Sequence, residues 1–280
     1  MKSFANGFTV ACIAAVLQVL TLGQCDAQYA RFTRPTDTIS VAGNSVLSNS
    51  ATYEARIMFT AFPSPPNDCT IYYEWRDYYE DKSLTFNQSQ IQGFGYPLHN
   101  PNWLTGQVDL VADTWYHIAY VYDGSEERLY LDGNEIASRA TSGNIANSSG
   151  SIAAVGCLGH GHNGSLGNSF IGCIDTLRIS TVARYSGTSF QAPTGDLASD
   201  QYTNLLYNFD EPAGSSVVRD LSGNGRDGTL GVGFVEATSP SLVPEPSSSL
   251  ALLCGLGGLA FRRRHQSLKQ GPGRAEGEER

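Results

Sequence analysis

The feature that most constrains the fold of this chain is a succession of short apolar runs separated by Asp-Gly turns. The run Trp115–Tyr122 is apolar on both faces, and Asp123-Gly124 follows it directly. The runs Glu127–Leu131 and Glu135–Ala137 are separated by Asp132-Gly133-Asn134. Asp-Gly between two such runs is a strong hairpin signal, because glycine adopts a positive φ without strain. The pattern predicts antiparallel strands, with Trp115–Tyr122 as a central strand buried on both faces.

The rest of the chain between Gln28 and Val243 continues this pattern, and no helical period of useful length interrupts it. Many short strands at turn-marked spacing are typical of a sandwich or a barrel. Further strands are predicted at Thr52–Phe59, Thr70–Trp75, Lys82–Phe86, Ser151–Leu158 and Ser169–Ile179.

Three segments resemble laminin-G-like domains. Trp115–Gly133 resembles their central hairpin, and Phe170–Ser180 resembles a Phe-x-Gly-x-Ile-Asp strand that leads to Arg-Ile. Leu205–Glu211 with Asp220–Gly228 is similar to an element that more often opens such domains. The resemblance implies an all-β, concanavalin A-like jelly-roll sandwich of two antiparallel sheets over 28–233. Here this third segment stands at the end of the predicted domain instead of at its start. Either the last strand fills the place usually taken by the first, as in a circular permutation, or the segment belongs to a truncated second domain.

The N-terminus predicts a cleavable signal peptide over 1–27. Lys2 supplies the positive charge, Phe8–Leu22 is the apolar stretch, and Cys25–Ala27 offers a small-residue cleavage site. A lipid on Cys25 is the less favoured alternative, because Gln24 is not a small residue. We therefore expect an exported protein that begins at Gln28.

The C-terminus resembles the PEP-CTERM sorting signal of bacterial surface proteins. A linker, 234–246, ends in Pro244, Glu245 and Pro246, and an apolar helix with an arginine cluster is predicted over 247–264. The arginines Arg262, Arg263 and Arg264 would stay on the cytoplasmic side of a membrane. The resemblance implies membrane insertion through this helix, then processing by an exosortase-type enzyme. A polar tail, 265–280, extends beyond the usual end of such signals.

Net charge narrows the classes of partner. The chain carries −9 at pH 7, which argues against nucleic acid and anionic membrane surfaces. Calcium or neutral glycans suit an acidic surface better, although acidity also serves solubility alone.

The predicted domain contains three cysteines, and export permits a disulfide. Cys157 and Cys173 lie in apolar, β-like runs on either side of a Gly-rich connection, and they are the predicted pair. Cys69 would then be free or intermolecular.

The segment Asp220–Gly228 is a candidate calcium site, because hard oxygen donors on a tight, glycine-rich loop suit Ca²⁺. The predicted ligands are Asp220, Asn224 and Asp227. The alternative is a glycine-rich turn that Asx hydrogen bonds stabilise without any metal.

Aromatic residues crowd the first half of the predicted domain, and sugars stack on exposed aromatic rings. Tyr78, Tyr79 and Trp103 lie next to loop signals and are the predicted ligand-binding residues. Burial in the sandwich core is the alternative explanation for most of the aromatic residues.

Catalysis has weaker support. Glu74, Asp77 and Glu80 invite comparison with glucanases of the same fold, but residues three apart on a regular strand point to opposite faces. We therefore predict a non-enzymatic recognition protein that binds extracellular polysaccharide or a surface partner. A structural matrix protein without a defined ligand is the second hypothesis, and a glycoside hydrolase is the third.

Overall fold

The computed structural model describes residues 28–243 except 44, 46, 48, 62–68, 76–81, 88, 96–97, 99–101, 146–151, 161–164 and 234–235. Every regular element in this part of the chain is a β-strand. No helical segment within it has the length and hydropathy of a membrane span. The predicted signal peptide and the predicted anchor helix both lie outside the described residues.

One large sheet places the predicted central strand among its neighbours. Its strands are β1 (Tyr29–Phe32), β3 (Ala51–Phe59), β8 (Trp115–Tyr122), β9 (Glu126–Leu131), β10 (Asn134–Ala140), β14 (Gly172–Ser180), β15 (Thr203–Tyr207) and β18 (Ser241–Val243). Their order is β10-β9-β8-β3-β14-β1-β18, and β15 also pairs with β14. We call this the first sheet.

The second large sheet faces the first. Its strands are β2 (Ile39–Val41), β4 (Cys69–Trp75), β5 (Lys82–Phe86), β6 (Gln90–Gly95), β7 (Leu104–Gln107), β11 (Ile152–Val155), β16 (Val217–Val218) and β17 (Gly228–Leu230). Their order is β16-β17-β2-β11-β4-β5-β6-β7, and all pairings within both sheets are antiparallel. A small separate hairpin consists of β12 (Leu158–His160) and β13 (Ser165–Gly167).

The core lies between the two large sheets, as predicted for a sandwich. Alternate residues of β3, from Tyr53 to Phe59, are fully buried, because successive side chains of a strand point to opposite faces. Aromatic pairs link the sheets: Tyr53 lies 6.5 Å from Tyr72, and Phe59 lies 5.7 Å from Phe86, between ring centroids. Burial of many such rings is the main source of stability in this fold.

The outer face of the first sheet is also covered, which explains why β8 is apolar on both faces. The segment 181–202 crosses this face, and its Tyr185 and Phe190 pack against Ala119, Val121 and Tyr130. The prediction that Trp115–Tyr122 forms a central, buried strand is confirmed.

Three strand boundaries differ from the sequence prediction by three residues, and one of them is the end of β10, at Ala140 rather than Ala137. The run Ser151–Leu158 ends as a strand at Val155, because Gly156 has φ +87° and turns the chain. A Cβ at Gly156 would lie 2.3 Å from the ring of Phe32, so the turn requires glycine. The strand predicted over Ser169–Ile179 is β14, which begins at Gly172.

The C-terminal segment adds strands to both large sheets. β15 pairs with β14, β17 pairs with β2, and β18 pairs with β1. Residues 203–243 therefore contribute to the same sandwich as the rest of the described chain.

Candidate functional site

An exposed tryptophan marks one edge of the second sheet. Trp103 precedes the edge strand β7, and its side chain is 37% exposed. Its ring stacks on Phe94 of β6 with centroids 5.2 Å apart and planes inclined at 25°. Phe94 is buried, so it fixes the orientation of a ring whose remaining surface faces outward. This arrangement presents a rigid aromatic plane of the kind on which sugars stack.

Polar side chains lie beside Trp103 on the same face of the sheet. Gln92 stands two residues before Phe94 on β6 and pairs across the ladder with Thr105 of β7. The Gln92 amide nitrogen lies 3.4 Å from Thr105 Oγ1, and both side chains are partly exposed. We call Trp103, Gln92 and Thr105 the edge site; it combines one aromatic plane with amide and hydroxyl groups.

The other predicted ligand-binding residues, Tyr78 and Tyr79, lie outside the described residues, and so do Asp77 and Glu80. The predicted sorting residues, Pro244, Glu245, Pro246, Arg262, Arg263 and Arg264, also lie outside them. Of the three predicted aromatic contacts, only Trp103 has a described position, and it is exposed as its neighbouring loop signals indicated.

The predicted calcium ligands form a hydrogen-bonded turn. The Asp220 carboxylate accepts from the backbone N–H groups of Leu206, Ser222 and Arg226 and from the Ser222 hydroxyl, at 2.7 to 3.1 Å. Asn224 donates through its amide to the carbonyls of residues 203 and 204, so its amide nitrogen is turned toward the protein.

Asp227 Oδ1 accepts from the backbone N–H of Asp220 at 2.9 Å, which closes this turn. The contacts are those of the Asx-turn alternative. Within the described part of the chain, no group of three or more His, Cys, Asp or Glu side chains could hold a metal ion. Calcium binding at Asp220, Asn224 and Asp227 stays a prediction.

Arg226 extends from this turn into the protein interior and forms an ion pair with Glu74. Both side chains are buried, with Arg226 Nη2 3.6 Å from Glu74 Oε2. Lys82 Nζ lies 3.0 Å from Glu74 Oε1, and Glu74 and Lys82 are directly opposite on the β4–β5 ladder. Ser45 and Tyr72 donate further hydrogen bonds to the same carboxylate. We call these five residues the Glu74 cluster.

The protonation of the Glu74 cluster follows from its contacts. Burial alone would raise the pKa of Glu74, but Lys82, Arg226 and the hydrogen bonds from Ser45 and Tyr72 lower it below the ordinary value. Burial and the adjacent Glu74 carboxylate raise the pKa of Tyr72, which stays a neutral donor. Glu74 is thus an ionised, fully engaged carboxylate, which suits a structural role better than proton transfer to a substrate.

A second buried carboxylate holds the segment 181–202 on the first sheet. Glu54 accepts from Arg178 Nε at 2.8 Å and from the Tyr185 hydroxyl at 2.6 Å, and His117 Nε2 lies 3.1 Å away. Burial alone would raise the pKa of Glu54, but His117, Arg178 and Tyr185 lower it. The Tyr185–Glu54 hydrogen bond therefore holds the segment on the sheet, together with the packing of the Tyr185 and Phe190 rings against Tyr130 of β9.

The cysteines depart from the predicted pairing. Cys69, Cys157 and Cys173 are buried, and no disulfide joins Cys157 to Cys173 in this structure. Cys157 Sγ instead lies 2.9 Å from Thr38 Oγ1. Burial raises the pKa of the Cys157 thiol to about 11, so the thiol is protonated at neutral pH.

Sequence reasoning missed the partners of both buried carboxylates. Glu54 and Glu74 stand inside apolar strand runs, where an unpaired charge would be costly, and this alone could have signalled buried ion pairs. Lys82 could have been found from the hairpin register. Arg178 and Arg226 come from distant parts of the chain, and their positions required the fold.

Comparison with known proteins agrees with this architecture. A solved structure of a candidate carbohydrate-binding protein from Bacteroides ovatus ATCC 8483 matches with 20% identity and a TM-score of 0.57. The match covers 76% of this chain and 61% of that chain, so this chain spans about three fifths of the length of that protein. At this identity the likeness concerns the fold alone.

Two further solved structures match with TM-scores below 0.5. Domain 4 of a GH43 extracellular arabinanase from Geobacillus stearothermophilus, in complex with arabinotriose, has 19% identity and a TM-score of 0.39, covering 55% of this chain and 68% of that chain. Mouse laminin α1 domains LG4-5 have 13% identity and a TM-score of 0.43, covering 61% of this chain and 48% of that chain. No curated protein matches the chain.

Family models match two parts of the sequence. The PEP-CTERM protein-sorting motif matches 242–264 and indicates an exported, surface-associated bacterial protein. A laminin-G-like model, described as the concanavalin A-like lectin/glucanases superfamily, matches 33–188, which is more than half of the chain. Both resemblances inferred from the sequence are thereby confirmed, and the chain belongs to the concanavalin A-like lectin/glucanases superfamily.

Proposed function

We propose that this protein recognises extracellular polysaccharide at the bacterial cell surface, with the edge site as its contact. The observation that carries the proposal is the exposed ring of Trp103, held in place by its stacking on the buried Phe94. A ring already fixed by the protein loses little conformational freedom when a sugar stacks on it.

The edge site also supplies hydrogen-bonding groups at a suitable position. Gln92 and Thr105 lie on the same face as Trp103 and offer an amide and a hydroxyl to the rim of a sugar ring. Because Trp103 stands at an edge strand, a long polymer could pass along the edge without entering a closed pocket. These features favour an extended chain over a small soluble molecule.

The sorting motif supports processing by an exosortase-type enzyme, with the 247–264 helix in the membrane before cleavage. Whether the mature protein is then anchored or released is a separate question, and mass spectrometry of the protein from culture would answer it by fixing both termini.

Calcium at Asp220, Asn224 and Asp227 belongs to the same proposal as an optional ligand. A melting temperature that rises with added Ca²⁺, less so in Asp227→Asn, would support it.

A glycan array tests the proposal against its two alternatives. We expect binding to one or more polysaccharides by the mature protein and loss of that binding in Trp103→Ala. Tyr202→Ala is the matched control, because Tyr202 is 44% exposed and lies far along the chain from the edge site. Absence of glycan signal with and without chelator would favour a structural matrix role. Turnover of β-glucans that is lost in Glu80→Gln, or in a Glu74→Gln variant that still folds, would favour a glycoside hydrolase.

A further inference from the structure

A cleft of about 300 Å³ opens on the outer face of the first sheet, beside the segment 181–202. Arg56, Trp115 and Asp132 are among the residues of the sheet and its turns that line it. Gln191 and Thr194 of the covering segment complete the rim. The edge site is on the second sheet, so the cleft is a separate feature of the molecule.

The guanidinium of Arg56 is fixed from two sides. Its Nη1 donates to Asp175 Oδ2 at 2.6 Å, and its central carbon lies 4.6 Å from the centre of the Trp115 ring. Asp175 is its only ion-pair partner among the described residues. A guanidinium has five N–H donors, so donors remain for a bound molecule, and their direction is set before binding.

Asp132 is exposed and supplies an acceptor, one oxygen of which the backbone holds. Its Oδ1 accepts from the backbone N–H of His117 at 2.8 Å, while its Oδ2 has no hydrogen bond to a described residue. The residue has φ +48° in the Asp132-Gly133 turn. That turn docks on the covering segment, with the Phe190 N–H donating to the Gly133 carbonyl at 2.8 Å.

Charge and size narrow the chemistry of the ligand. Asp175 already neutralises Arg56, so Asp132 leaves the cleft with a net negative charge in a chain that carries −9. A carboxylated or sulfated sugar would be repelled. The volume stands at the lower end of the range for small-molecule pockets, roughly 300–1,000 Å³. A guanidinium donor and a carboxylate acceptor that line the same cleft as an aromatic ring can hydrogen-bond the hydroxyl groups of a sugar.

We propose that this cleft is a second saccharide site that binds one or two uncharged sugar units. The proposal rests on the proposed function for the class of ligand, but it uses different residues on the other sheet. Failure at one site is therefore distinguishable from failure at the other.

The test is a titration of the full chain with neutral methyl glycosides of glucose, galactose, mannose, xylose and arabinose, and with glucuronate and galacturonate. We expect at least one neutral glycoside to bind, and the uronates to bind more weakly. Asp132→Asn keeps the Oδ1 acceptor and tolerates a positive φ, but it removes the charge. It should weaken the affinity for neutral glycosides about tenfold, because hydrogen bonds to charged groups are among the stronger ones. The difference in affinity between neutral glycosides and uronates should become smaller.

Two further variants separate the outcomes. Trp103→Ala should leave binding of the monosaccharides in the cleft unchanged, whereas a double variant, Gln191→Ala with Thr194→Val, should weaken it. Gln191 and Thr194 are exposed, so the double variant tests the cleft even if Asp132→Asn folds poorly. Binding lost only in Trp103→Ala would support the edge site and overturn the cleft. The cleft proposal is also overturned if no neutral glycoside binds or if uronates bind more tightly than their neutral counterparts.

Discussion

Replacing Glu74 by glutamine should destabilise the protein strongly, because the change leaves two buried cations without their shared anion. Lys82 Nζ lies 3.0 Å and Arg226 Nη2 lies 3.6 Å from the carboxylate, and all three side chains are at most 4% exposed. Breaking a buried pair by removal of one partner costs about 3–5 kcal/mol. Since a domain's free energy of unfolding is only about 5–15 kcal/mol, Glu74→Gln should consume a large share of it.

Urea unfolding followed by tryptophan fluorescence measures this loss. Glu135→Gln is the matched control: Glu135 is partly exposed, its contact with Arg128 is 3.6 Å long, and such pairs contribute about 0–1 kcal/mol. We expect a much lower urea midpoint for Glu74→Gln than for the natural protein. The midpoint of Glu135→Gln should stay nearly unchanged. Equal midpoints for the two variants would refute the structural role of the Glu74 cluster.

The same cluster sets a pH dependence. The pKa of Glu74 is lower in the folded protein than its ordinary value of 4.5, so folding favours the ionised form. Its contribution to stability is therefore present above about pH 4.5 and is lost as the pH falls through the lowered, folded-state pKa. In Glu74→Gln, the stability should fall less steeply over this acid range than in the natural protein.

Three further predictions concern the edge site, a turn and a thiol. Trp103→Ala should abolish retention on a polysaccharide affinity gel while it shifts the melting temperature little, and a large thermal shift would mean that the ring serves packing instead. Gly133→Ala should lower the melting temperature by several degrees, because the new Cβ would lie 2.1 Å from the Phe190 carbonyl at φ +77°; an unchanged melting temperature would contradict this turn geometry. Cys157 should resist a thiol reagent in the native state and react after unfolding, since its thiol is buried and its pKa is raised to about 11; rapid native-state labelling would contradict this burial.

Most of the fold could be predicted from local sequence patterns. The strands Thr52–Phe59, Lys82–Phe86 and Trp115–Tyr122 agree with the structure within one residue, because alternation and Asp-Gly turns are local consequences of a buried sheet face. Short strands such as β16 and β18 carry too few residues to show a period, and they exist only because a partner strand is present.

The candidate sites were less predictable because they depend on distant partners. Trp103 could be chosen from its loop context, but its support by Phe94 arises from the pairing of β6 with β7. Trp115 reads as one more core residue in the sequence. Only the fold places it beside Arg56 and Asp132 in a cleft, because the three residues come from three different strands or turns.

The most direct test of polysaccharide recognition uses the three tryptophans of the chain as reporters. Each indole N–H of Trp75, Trp103 and Trp115 gives its own signal in a ¹H–¹⁵N NMR spectrum of the labelled protein, and the polysaccharide fragment that binds best on the array is added. We expect the Trp103 signal to shift with saturable dependence on the fragment, while the Trp75 signal stays in place. A spectrum in which Trp103 does not move at saturating fragment would contradict recognition at the edge site.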